Sequence, residues 1–162
     1  MVKQISVREV FKIAMDLGVI PESAVVDRKG RAAWSSGELA LVAMLERRPD
    51  GWLGWHAFVG DLKLGPALSS FGGLSVAIDP LVDDAVDWPR AGGSAGSIEK
   101  FLRGGIGAAR RFVVDRLDLA QLLASESDVR RGDLTTWLPA ANYPARLVQA
   151  LILARDMGFD RA

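Results

Sequence analysis

The chain has 162 residues, 49% of them apolar and 25% charged, and its twenty Lys and Arg balance twenty Asp and Glu. That apolar content at this length supports a packed core and excludes global disorder. Neutral net charge argues against a strongly basic nucleic-acid binder, and the lack of cysteine excludes disulfide scaffolds and thiol catalysis.

Residues 1–88 carry nine basic and twelve acidic side chains, residues 89–162 eleven and eight, a modest asymmetry. No run reaches the ~20 apolar residues of a membrane span, and the first residues lack an apolar leader core. A cytoplasmic protein without a membrane segment is expected.

Residues 6–17 have helical spacing, with Ser6 as N-cap, Val7, Val10, Phe11 and Ala14 on one side, and Gly18 where a C′ glycine belongs. Residues 24–34 read as a short hairpin turning at Gly30. The apolar run Leu39–Leu45, the turn Arg48-Pro49-Asp50-Gly51 and the run Trp52–Val59 predict a second, central hairpin. Ser35-Ser36-Gly37-Glu38 also matches a capping box, so a helix from Ser35 competes with the first of those strands, and the turn chemistry favours strands. On the return strand, Leu53, Trp55, Ala57 and Val59 form the core face, leaving Trp52, Gly54, His56 and Phe58 opposite.

Leu74–Ile78 is a further strand, followed by a helix capped at Asp79-Pro80 and running to about Asp87. Residues 91–97, rich in Gly and Ser, resemble a connector. Beyond it, Ser97 caps a short helix ending at Gly104-Gly105, and Phe112–Val114 forms a last strand. Asp118 caps a helix to Ala124, Asp133–Leu138 forms another, and the last runs from Pro144 to Met157. Its apolar stripe is Leu147, Val148, Leu151 and Ala154. The order predicts one α+β domain over 1–162: an antiparallel sheet around a central hairpin, an N-terminal helix and a helical C-terminal part. A candidate subdivision at 91–97 separates a sheet-rich 1–90 from a helical 98–162.

No motif of catalysis, metal binding or cofactor binding is assembled, so no cofactor and no metal site is expected. His56 is the only histidine. It reads first as a structural or surface residue and second as a general base working with Asp79 or Asp84. Asp79, Asp83, Asp84 and Asp87 read as a helix cap and solvated face, or as an attraction for Mg²⁺ or a basic partner. Five tryptophans is a high number, and Trp is enriched in interface hot spots. At least three are expected in the core, with Trp52 beside its turn as the accessible one.

The leading functional reading is therefore a non-enzymatic accessory or inhibitor-type protein that binds another protein through Trp52, His56, Phe58, Asp83 and Asp87. A second reading rests on residues 118–158. Leu119-Ala120, Trp137, Pro144, Leu153-Ala154 and Gly158 resemble the pattern of a phage-repressor-type helix-turn-helix, although the Leu119–Trp137 stretch is about four residues longer than that motif's. The resemblance implies a DNA-binding regulator with Arg130, Arg131, Thr135 and Thr136 on or near the reading helix. A third reading is an enzyme of unrecognised type using His56. Partner identity, pathway and oligomeric state are not encoded in any pattern found.

Overall fold

A computed structural model describes residues 5–49, 53–66, 74–81 and 95–159. Helix α1 (Val7–Asp16) leads into seven strands: β1 (Val25–Val26), β2 (Arg31–Ser36), β3 (Leu39–Arg47), β4 (Leu53–Asp61), β5 (Ser75–Pro80), β6 (Arg130–Arg131) and β7 (Leu134–Trp137). Between β5 and β6 lie α2 (Ala95–Gly104), α3 (Ile106–Ala109) and α4 (Arg116–Leu123). A 3₁₀ turn at Ala140–Asn142 then leads to α5 (Tyr143–Asp156). The strands make one sheet in the order β1-β2-β3-β4-β5-β7-β6. Every pairing is antiparallel. The protein is thus α+β with a helical C-terminal part.

Local chemistry accounts for the elements. The Ser6 side chain accepts from Glu9 N–H while the Glu9 carboxylate accepts from Ser6 N–H, a complete capping box. Two hairpins share one turn grammar: Gly37-Glu38 joins β2 to β3, and Gly132-Asp133 joins β6 to β7. Their glycines have φ of 58° and 60°. Glycine first in a two-residue loop is the signature of a type II′ turn. The glycine therefore makes Ser35–Glu38 a hairpin corner and not a helix start.

β3 and β4 pair through nine residues, from Leu39↔Asp61 to Arg47↔Leu53. The inner face of β4, with Leu53, Trp55, Ala57 and Val59, is at most 5% exposed. Leu41, Ala43 and Leu45 of β3 and Val76 and Ile78 of β5 extend that layer. Helices cover it, and the packing is close: a Cβ at Gly105 would lie 2.6 Å from Trp55 Nε1, so only glycine fits where α2 meets α3 over the sheet. One hydrophobic cluster runs from Val10 to Leu153 and takes side chains from both sides of residues 91–97.

Several sequence expectations are corrected. Asp79 and Pro80 do not start a helix. They end β5, paired with Thr135 and Leu134, because β7 offers a ladder partner that sequence could not supply. The expected continuation to Asp87 lies outside the described residues. Ser97 falls inside α2, not at its cap. Phe112–Val114 is not a strand; its start is held by tight turns, Phe112 N–H to Ala109 O among them. The cap of α4 is Asp115, whose carboxylate accepts from Asp118 N–H. The expected helix at Asp133–Leu138 is strand β7.

The largest correction concerns α5. It buries Arg146, Gln149, Ala150 and Leu153. The stripe expected in the core faces outward, with Leu147 36%, Val148 56% and Leu151 62% exposed.

A buried ion cluster sets the position of α4 and α5. Arg116 of α4 donates through Nε to Asp61 Oδ1 of β4 at 2.5 Å and through Nη2 to Asp156 Oδ2 of α5 at 2.7 Å. The Asp61 side chain has no exposure and also accepts from Leu64 N–H at 2.6 Å. Removing the cation leaves a carboxylate inside the fold with no counter-charge. Arg116→Met is therefore expected to lower the unfolding free energy by about 3–5 kcal/mol in urea denaturation.

Candidate functional site

Three features of the described residues carry polar or apolar chemistry outward: the outer sheet face, a cavity at its edge, and the outward side of α5.

On the outer sheet face, alternation places His56 and Phe58 of β4 beside Met44 and Val42 of β3 and beside Ala77 of β5. His56 Nδ1 lies 2.5 Å from Asp79 Oδ1, and Nε2 lies 3.5 Å from Glu46 Oε2. Asp79 accepting at Nδ1 selects the ring form with a proton there. The histidine and one of its expected acidic companions are thus brought together, because β5 continues through Asp79 instead of turning into a helix. Among the described residues no hydroxyl or thiol bonds Nε2, where a nucleophilic triad would need one; the Glu46 carboxylate sits there instead. Among the same residues no three His, Cys, Asp or Glu are grouped to hold a metal ion. Both the imidazole and Glu46 are well exposed, so the arrangement is a solvated dyad with a carboxylate neighbour.

Of the expected contact residues, Trp52, Asp83 and Asp87 lie outside the described residues, as do Asp84 and Trp88. Trp34 and Trp55 are in the core. Among the described residues the exposed tryptophan is Trp137, 63% accessible at the end of β7 and paired with Ala77 on the outer face. Sequence reasoning placed it in a helix and missed it. The Gly132-Asp133 turn followed by alternating residues was the signal available for finding it.

The residues expected on a DNA-reading helix form the β6–β7 hairpin. Arg131 makes a bidentate pair with Asp118 at 2.6 and 2.7 Å, donates to Phe112 O and lies over the Phe112 ring. Thr136 has no exposure, and its hydroxyl accepts from Val129 N–H. Thr135 is half-buried and donates to Thr136 O, while Arg130 is exposed. Arg131 holds the hairpin against α4, and Thr136 closes the hairpin itself on Val129. The second helix of the expected motif is absent, because the Gly132 turn folds that segment back on itself.

The cavity has a volume of about 340 Å³. It lies where β7 ends opposite Ala77 and the chain leaves the sheet for α5. Phe58 and Trp137 contribute aromatic wall, Ser75 and Asn142 polar rim, and Arg146 and Gln149 reach it from α5. Arg146 is 6% exposed. Its Nη1 donates to Leu123 O at 3.1 Å and Ser125 O at 2.7 Å, which satisfies carbonyls left open at the end of α4.

The outward side of α5 presents Leu147, Val148, Leu151 and Ile152. A double hydrogen bond at the helix end, Gly158 N–H to Arg155 O and Phe159 N–H to Ala154 O, turns the chain so that Phe159 is also exposed.

The Arg131 fork holds the Asp118 carboxyl below its ordinary range, with help from Val114 N–H and against the cost of partial burial. A depressed folded value means the contribution is present above the unfolded pKa of about 3.9 and is lost as pH falls through the folded one. The stability difference between wild type and Asp118→Asn should therefore stay constant from pH 7 to about 4.5 and shrink below about pH 4. Chemical denaturation across that range checks it.

Compared with known proteins, the chain matches no family model, no curated protein and no solved structure.

Proposed function

We propose that this protein is a non-catalytic accessory or inhibitor-type protein that acts by binding another protein, with the outward side of α5 as the main contact. One observation carries the reading. α5 buries Arg146 and Gln149 together with Ala150 and Leu153, and leaves four large aliphatic side chains outward, where solvent alone would not select them. Full burial of a Val, Leu or Ile side chain stabilises by about 1.5–3 kcal/mol, so a partner covering this side gains from several at once. The partner chemistry that fits is an apolar groove or helix face. His56 and Phe58 remain candidate contacts on the sheet, as the sequence reading had them.

The double variant Val148→Glu, Leu151→Glu changes exposed positions and should keep stability within about 0.5 kcal/mol per site. A partner identified by mass spectrometry from a nuclease-treated pull-down, then purified, should bind the wild type and lose at least about tenfold in affinity for the variant. An unchanged affinity overturns the reading. So does light scattering that shows the wild type dimeric and the variant monomeric, since the helix face would then serve self-association.

The 2.5 Å His56–Asp79 contact supports a second reading, general acid–base catalysis by His56. It requires a substrate group to replace Glu46 at Nε2. A p-nitrophenyl acetate hydrolysis rate that His56→Gln leaves unchanged removes it.

A further inference from the structure

We propose that the cavity between β5, β7 and α5 is a binding site for a small aromatic carboxylate, with Arg146 as its anion receptor. The argument is separate from the docking role of the outward side of α5.

The cation comes first. Arg146 is 94% buried, and arginine stays charged at any physiological pH. Its ion pairs are absent among the described residues; its partners there are two backbone carbonyls and the Tyr143 ring, 5.5 Å from the guanidinium carbon. Both carbonyl bonds are made by Nη1. Among the described residues Nε and Nη2 have no hydrogen-bond partner, and they lie just beneath the cavity wall without surface open to water, so a ligand engages them by displacing the side chains that cover them. These two nitrogens form one edge of the planar fork, the edge that meets both oxygens of a carboxylate in parallel. The other buried arginine of the helical layer shows the contrast: Arg116 has Asp61 and Asp156 as partners. A buried guanidinium without an acid is costly, and a carboxylate on the free edge offsets that cost.

The cavity supplies the rest of the selectivity. Among the described residues that line it, Arg146 is the only charged side chain and none is acidic, so nothing there repels an anion. Its volume of about 340 Å³ lies at the small end of the ligand-site range, enough for one ring and its acid group. Phe58 on one strand and the exposed indole of Trp137 on another provide faces against which a flat apolar body stacks. Asn142 and Ser75 bring further hydrogen-bonding groups to the rim. Single-edge fork, aromatic wall and absence of acids together favour an aryl carboxylate over a bare inorganic anion.

The test is calorimetric titration of the full chain with benzoate, with benzyl alcohol as the uncharged match and acetate as the ringless one. Benzoate should bind saturably at one site per chain and at least about tenfold more tightly than either match. Arg146→Met should lower benzoate affinity at least about tenfold, and Arg146→Lys should fail to restore it, because a point charge does not replace a fork. Since Arg146 also caps α4, a variant that keeps it is included. Ala145→Phe places a ring at an exposed position lining the cavity and should block benzoate without unfolding the protein. Benzoate that fails to saturate the wild type by about 10 mM, binding equal to that of benzyl alcohol, or binding that Ala145→Phe leaves intact overturns the proposal.

Discussion

Two arginines reach in opposite directions between α4 and α5, and the arrangement of the helical layer depends on them. Arg116, at the start of α4, bonds Asp156 at the end of α5 and Asp61 of the sheet. Arg146, near the start of α5, bonds carbonyls at the end of α4. The helices are therefore antiparallel and clamped at both ends. Such a clamp fixes rotation about the helix axis as well as position. Once Arg146 and Asp156 must point toward α4, the side of α5 carrying Leu147, Val148, Leu151 and Ile152 has to point away.

The clamp has two chemical consequences. It places an aliphatic surface in solvent. It also draws a guanidinium into the fold beside a cavity, with one edge used for capping and the other left over. Ordinary surface arginines screen themselves with water and contribute little. This one keeps an edge inside the fold with no hydrogen-bond partner among the described residues, where the low local dielectric makes an unpaired polar group costly. The sheet's outer face differs in kind. His56 and Glu46 are well exposed there, and Asp79 is partly so.

Much of the fold was legible in residue order. The N-cap at Ser6, the glycine after α1, the alternation on β4 and the Leu74–Ile78 strand are local signals, and local energies decide them. The failures share one cause. Asp79-Pro80 has the composition of a helix start, but the ladder with β7 decides its fate, and β7 is more than fifty residues away. Asp133–Leu138 reads as helix until the Gly132 turn is recognised as the same device as Gly37. Trp137 became visible as an exposed aromatic only with that correction.

What the sequence determined by itself was the α+β class, the central hairpin, which side of β4 is core, and the presence of a C-terminal helix. Each follows from side-chain period and turn residues within a few positions. Only the tertiary structure decided which side of α5 faces in, that His56 meets Asp79, and that Arg146 meets backbone carbonyls and, among the described residues, no acid. Those outcomes depend on hydrogen bonds and ion pairs between residues 21 to 55 positions apart, such as Arg146 with Ser125 and Arg116 with Asp61. An apolar stripe records that a helix has two unlike sides. The pairing of distant charges determines which of them meets water.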